Sequence, residues 1–400
     1  MMQRRYVEKP LNILMVLHMP WTRNLGGPRV QLELAEEYEK MGHKVEKFDY
    51  YDAYPETKEA QGSSKLADFF RPWFCLQAKK FVQANAHRFD VIDAHQGNLP
   101  FSKQELNFNG LLVTRTAGIY AFYENFSRIE ERWFYQDLKV KLLLWKWLQK
   151  FRNKRHSNDC LISLQASDLA LLINQDELAY AKDQLNLGDK CKYHPHGLKP
   201  SRQIALAKSA ACPSKKLANK TIVFIGSWSP RKGARDWGAI ISLTKRKVPG
   251  AKFLFLGTGA EEETVLKHLN LPKSDWIKII PHYKTDSLPD LLEPATVGAF
   301  PSYIEGFPFA ILEKLAAGLP TVAYDVPGSR ETLRLVDESL LIRAGDIEAF
   351  ARKLVSLLTL KDDAYSKLSQ CCIEAICQFS WDKIAKETIN LYYEYLLRVK

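Results

Sequence analysis

The chain has 400 residues, of which 46% are hydrophobic and 26% charged. At about 100–200 residues per domain this favours two domains with full cores, and it excludes disordered, collagenous and disulfide-stapled classes. The formal net charge of +11 is spread evenly, +5 over 1–200 and +6 over 201–400, a bias toward anionic partners and not a basic tail.

Apolar runs of strand length alternate with helix-period segments from the start. Ile13-Leu14-Met15-Val16-Leu17 reads as a buried strand, and Gly26-Gly27-Pro28 as the turn after it. Gly27 is placed to cap a helix starting at Pro28, with Val30, Leu34, Tyr38 and Met41 on one face and Gly42 ending it. Extended runs follow at Val45–Phe48, Val91–Ala94, Leu111–Thr114 and Leu169–Ile173. This βαβ alternation predicts a parallel sheet with helices on both faces.

The pattern lapses over 199–220, which holds six basic and no acidic residues with Pro200 and Pro213. The predicted organisation is an N-terminal Rossmann-like domain over 1–198, a basic linker over 199–220 and a C-terminal Rossmann-like domain over 221–378. A final helix over 379–400 is expected to pack back toward the first domain. The second βα series runs through Thr221–Gly226, Phe253–Gly257, Ile277–Ile280, Val297–Phe300 and Thr321–Tyr324. Two doubly wound domains in tandem imply a cleft between the carboxyl ends of their sheets, where ligands of such folds bind.

The seven cysteines, Cys75, Cys160, Cys191, Cys212, Cys371, Cys372 and Cys377, are odd in number and form no C-x-x-C pair. That fits free thiols in a reducing compartment, and none has histidine partners at zinc-ligand spacing. No apolar run reaches the roughly 18–20 residues of a membrane span. Arg4 and Arg5 before Leu11–Leu17 imitate a signal peptide, but Pro20-Trp21-Thr22-Arg23 follows where a cleavage site would stand. The expected location is cytoplasmic, so the sequons at Asn125 and Asn219 carry no meaning.

The stretch that carries chemistry is Pro301-Ser302-Tyr303-Ile304-Glu305-Gly306-Phe307-Pro308-Phe309-Ala310-Ile311-Leu312-Glu313-Lys314-Leu315-Ala316-Ala317-Gly318-Leu319-Pro320. A strand ends in a turn, and Pro308 suits the first position of a helix because its missing N–H would be unpaired there. Phe309, Leu312, Leu315 and Ala316 give that helix a buried face, and Gly318 and Pro320 stop it. The helix start offers free amides and positive partial charge to a phosphate. Glu305 precedes the helix and Glu313 lies within it, so one carboxylate can meet a sugar while the other reaches a ribose diol.

This string resembles the E-x7-E signature of retaining GT-B glycosyltransferases of family four. The resemblance covers nearly the whole chain, densely after Thr221 and loosely between Tyr50 and Asn158. It implies that Glu305 contacts donor-sugar hydroxyls near the reacting carbon and that Glu313 holds the ribose hydroxyls. Gly306, Phe307, Phe309, Ala310, Ile311 and Leu312 would line the donor, with backbone amides over 309–312 receiving the diphosphate. Similar enzymes carry Gly-Arg at a strand end and Lys-Gly after it. Here Gly226-Ser227-Trp228-Ser229-Pro230-Arg231-Lys232-Gly233 keeps Lys232-Gly233 and places Ser227 at the arginine position. Lys232 would offset the leaving diphosphate, and Arg231 either supplies the missing charge or is a solvated loop residue. Gly26 and Gly27 would face the donor phosphate from the first domain.

The resemblance also has departures. Pro308 stands where many relatives have glycine and cannot donate an amide. Thr114-Arg115-Thr116-Ala117-Gly118 has Ala117 where relatives carry a histidine near the donor sugar. His95 and Arg115 are the groups able to serve the acceptor side of the same cleft, the alternative for His95 being a core or surface histidine. His196 replaces a more usual asparagine.

Lys139 to His156 holds seven Lys or Arg and no acid, interleaved with Trp145, Trp147 and Phe151. It suits an anionic bilayer at the inner face of the membrane, or else a packed helix with solvated lysines. No nucleic-acid motif accompanies the charge.

The resemblance therefore implies a hexosyltransferase moving sugar from a nucleotide-sugar to a hydroxyl acceptor, glycan or lipid-linked. Configuration would be retained, with no metal and no cofactor. The rival readings are a sugar-nucleotide epimerase or hydrolase on the same architecture, and a binding subunit with a worn site.

Overall fold

The computed structural model describes residues 9–23, 26–58, 73–123, 126, 143–210 and 213–399. The chain divides into two compact units, one made of 1–121, 135–195 and 381–400, the other of 122–134 and 196–380. The fold class is α/β throughout.

In the first unit six parallel strands run in the order β2-β1-β3-β4-β5-β6. They are β1 (Asn12–Val16), β2 (Lys44–Phe48), β3 (Val91–His95), β4 (Leu111–Arg115), β5 (Leu169–Leu172) and β6 (Cys191–Tyr193). The central β3, β4 and β5 are buried along their whole length, which is why they read as continuous apolar runs. Edge strand β2 keeps Lys44, Glu46 and Lys47 exposed, a charge pattern that discourages edge pairing. Leu14, Val16, Ile92 and Leu112 pack with Ala78 and Val82 of the Phe74–Asn85 helix on one face.

The second unit repeats the plan in the order β12-β11-β10-β7-β8-β9, again parallel. Its strands are β7 (Thr221–Ile225), β8 (Lys252–Leu256), β9 (Ile277–Ile280), β10 (Val297–Phe300), β11 (Thr321–Tyr324) and β12 (Leu341–Ile342). This is the doubly wound order, reversing between β7 and β10 at the topological switch point.

Ten of the strands coincide with the predicted runs to within about a residue, the usual scatter of element ends. The sequence reading missed β6 and β12. Both are edge strands, of three and two residues, too short to show a period. The 199–220 segment holds two helices, Pro200–Ala207 and Pro213–Asn219, each with proline at its start. The first helix begins at Gly26, not Pro28, so Gly27 lies inside it and not at its cap. Gly42 takes φ +90° just beyond the helix end, the left-handed geometry glycine allows.

The Trp381–Val399 helix belongs to the first unit. It is locked there by buried polar groups. Arg115 Nη2 lies 2.6 Å from Asp93 Oδ2, and Tyr392 Oη donates to the same oxygen at 2.6 Å. Arg115 Nη1 reaches His194 Nδ1 at 2.9 Å, and His194 Nε2 meets Thr388 Oγ1 at 2.6 Å. Trp381 Nε1 donates to Glu33.

Candidate functional site

Two loops at the carboxyl ends of β7 and β10 build the site within the second unit. After β7 comes a one-turn 3₁₀ helix, Pro230–Lys232, capped by Gly233 at φ +77°. A Cβ on Gly233 would stand 2.1 Å from the Pro301 carbonyl oxygen, so only glycine lets the two loops close. The loops are then stitched together. Tyr303 N and Ser302 Oγ donate to Arg231 O at 2.9 and 3.1 Å, and Arg231 Nη1 donates to Ile304 O at 3.2 Å.

That stitching delivers three donors to one oxygen. Glu305 Oε1 accepts from Lys232 Nζ at 2.6 Å, Arg231 Nη1 at 3.2 Å and Ser302 Oγ at 2.5 Å. The Glu305 side chain is 7% exposed, Lys232 14% and Arg231 32%. Burial pushes the Glu305 carboxyl up, and Lys232 and Arg231 more than offset it, so it lies below its ordinary range. Burial pulls Lys232 down against the attraction of Glu305. Two cations face one carboxylate, which leaves a net positive charge.

A further lysine lies beneath. Lys314, on the Phe309–Ala316 helix, is fully buried, donates to Ala299 O at 3.1 Å and sits 4.7 Å from the Phe300 ring centroid. Lys232 Nζ is 4.9 Å from the same ring. Burial, and then Lys232, hold the Lys314 amine well below its usual range.

The Phe309–Ala316 helix starts one residue later than expected, with Pro308 as its N-cap. The amides of Ile311 and Leu312 donate to the Pro308 carbonyl at 3.1 and 3.4 Å. They are therefore engaged inside the first turn. Gly306 packs against the next helix: a Cβ on Gly328 would stand 2.3 Å from Gly306 O. Phe307 and Phe309 both meet the His196 ring, with centroids 5.7 and 5.1 Å away. Ser227 stands in the turn after β7. Glu313 is buried and pairs with Arg202 Nη2 at 3.2 Å.

In the first unit, Gly26 has open space where a side chain would go, and Gly27 lies beside Met19. Arg115 is 2% exposed and fully engaged by the network that holds the last helix, so its role is in the fold. His95 sits at the end of β3 in a cluster of imidazoles, its centroid 5.4 Å from His18, which is 6.3 Å from His156. Burial lowers His18 to about 4 and His95 to about 3, so both are neutral near pH 7.

Sequence reasoning missed several supports. Ser302 was inside the motif yet not singled out. Asp236 accepts from Tyr303 Oη at 2.8 Å and Tyr324 Oη at 2.6 Å, holding the 301–306 loop from behind. Lys314 likewise lay inside the motif without being singled out, and Arg202 and His18 gave no local signal at all. Among the described residues no His/Cys/Asp/Glu group is arranged to hold a metal, and no helix is long and apolar enough to cross a membrane. Of the basic 139–156 stretch, 139–142 lie outside the described residues and 143–166 is helical. Arg152 and Arg155 of that helix stand over the Trp73 ring at 5.7 and 4.2 Å.

Two Rossmann-like units in tandem, with the loops after β7 and β10 converging on one carboxylate, define the GT-B class. The chain aligns over 96% of its length with sucrose-phosphate synthase from Thermosynechococcus elongatus, covering 98% of it at TM-score 0.70 and 18% identity. It aligns equally far with HepE from Anabaena, solved with UDP and glucose, covering 100% of that chain at TM-score 0.65 and 16% identity. Residues 219–360 match the Glycosyl transferases group 1 family. O-antigen chain mannosyltransferase B from Escherichia coli is 28% identical over 177 residues, 42% of this chain and 45% of that protein. The chain spans about half the length of the curated relatives it matches. The chain has the GT-B fold, and its 219–360 region is similar to the Glycosyl transferases group 1 family.

Proposed function

We propose that the chain transfers a sugar from a nucleotide-sugar donor to a hydroxyl of a glycan or lipid-linked acceptor, with retention and without a metal. The observation that carries this reading is the convergence of Lys232, Arg231 and Ser302 on Glu305 Oε1. It fixes a carboxylate at the loop where a donor sugar would lie, and it leaves surplus positive charge for a leaving diphosphate. The solved complex of HepE with UDP and glucose supports a nucleotide-sugar donor.

In this mechanism the bond from the anomeric carbon to the diphosphate oxygen breaks as the acceptor oxygen attacks from the same face. The acceptor's proton passes to the departing diphosphate oxygen. Lys232, Arg231 and the start of the Phe309–Ala316 helix stabilise the charge that develops there. Glu305 positions the sugar and steadies its oxocarbenium-like centre, while Glu313 holds the ribose. Exclusion of water limits hydrolysis of the donor.

The test is a thermal-shift screen against UDP-, GDP- and ADP-sugars, followed by product NMR with the stabilising donor. A donor at a hundred times its Kd stabilises by about 2.7 kcal/mol. The expected product keeps the donor's anomeric configuration, and Glu305→Ala abolishes its formation. Nucleotide release without a glycosylated product would favour a hydrolase, and no shift with any donor would favour a binding subunit.

A further inference from the structure

Glu313 does not stand alone on its helix. Arg202 reaches it from the Pro200–Ala207 helix, which packs against the Phe309–Ala316 helix and the Leu288–Leu292 helix. One arm of the guanidinium, Nη2, lies 3.2 Å from Glu313 Oε1. The other arm, Nη1, donates to the Thr285 carbonyl at 2.7 Å. The two side chains are 12% and 6% exposed, so solvent screens this pair little. The Arg202 Nε is buried and finds no acceptor among the described residues, so the guanidinium is held without its bonding capacity being met. The planar fork therefore ties a carboxylate oxygen to a fixed backbone point, a geometry that lysine's single ammonium does not reproduce.

We propose that Arg202 is a positioning residue that orients the Glu313 carboxylate toward a ribose diol and thereby sets a preference for ribonucleotides over deoxyribonucleotides. This rests on the reading of Glu313 as the ribose ligand. Two hydroxyls on one ribose demand a carboxylate held at one rotation, because hydrogen bonds weaken steeply as their angle degrades. The end torsion of a glutamate is broad and nearly two-fold. Arg202 restricts it by fixing Oε1. The fork sits on the segment whose composition reads as a linker, so a region without apparent chemistry would tune the site.

The experiment measures binding of UDP, ADP and GDP and of their 2′-deoxy counterparts by calorimetry, in the full chain and in Arg202→Gln, Arg202→Lys and Glu313→Ala. The parent protein should prefer the ribonucleotide that binds by at least about tenfold, equivalent to about 1.4 kcal/mol. Arg202→Gln should reduce that preference to under about threefold, mainly by weakening the ribonucleotide. Arg202→Lys, the milder variant, carries the same expectation should the glutamine variant fail to fold. Equal weakening of both nucleotides, or none, with preference lost only in Glu313→Ala, overturns the role of Arg202 and leaves the ribose reading standing. Preference retained in Glu313→Ala overturns the ribose reading, and the proposal with it.

Discussion

Lys232 is the side chain whose removal separates charge stabilisation from donor binding. Its ammonium is 2.6 Å from Glu305 and mostly buried, while Ser302 and Arg231 would still hold the carboxylate without it. Lys232→Ala should lower kcat by about a hundredfold with a smaller change in donor KM, the pattern of an interaction made chiefly in the transition state. Steady-state kinetics with the stabilising donor check this. Ser302→Ala removes a hydroxyl that donates to a charged carboxylate and should cost about 1.5–3 kcal/mol of stability, read from denaturant midpoints. The histidines give a pH prediction. His18 and His95 have pKa values depressed by burial to about 4 and about 3, from an ordinary 6.5. Between those values the unfolded chain binds protons the folded chain refuses. The stability they confer is whole above pH 6.5 and is lost as the pH falls toward 4 and then 3. Thermal midpoints at pH 7 and pH 5 should therefore differ less in His95→Gln than in the parent.

At the scale of the element, the site depends on how closely two loops approach. Gly233 is the contact point, at φ +77° with its absent Cβ facing the Pro301 carbonyl. Gly233→Ala adds left-handed strain of about 1 kcal/mol, and the clash raises the cost further. Its activity should fall more than its melting temperature suggests, because the 301–306 loop carries Glu305. Lys232-Gly233 and the Glu305–Glu313 string were legible in the sequence because each is a contiguous motif at the end of an apolar strand. The supports were not. Arg202 is 111 positions from Glu313, and Asp236 meets Tyr303 and Tyr324 from 67 and 88 positions away. No local pattern encodes such pairs. Arg115 shows the opposite error. It stands at a strand end where ligands gather, yet its partners Asp93, His194 and Tyr392 come from elsewhere in the chain and turn it into a structural cation.

At the scale of the whole molecule, both sheets could be read from their strands, except for the short edges β6 and β12. The threading of the first unit could not. Its last helix arrives after the entire second unit and supplies Tyr392 to Asp93 and Thr388 to His194. Asp93→Asn would leave the buried Arg115 charge without its partner, a loss of about 3–5 kcal/mol. Because that loss falls within one unit, calorimetry should show the Asp93→Asn protein melting in two steps, with one transition near the parental temperature.

That threading also bears on birth at the ribosome. When residue 195 leaves the exit tunnel, the six strands of the first unit are present but the helix whose Tyr392 and Thr388 hydroxyls complete the hydrogen bonding around their Asp93–Arg115 pair is not. At about 5–20 residues per second the missing helix follows roughly 10–40 s later, after the second unit has emerged. The later-made unit is therefore free to fold first. The earlier-made one spends that interval as an incomplete sheet, and this is when the nascent chain most needs a chaperone.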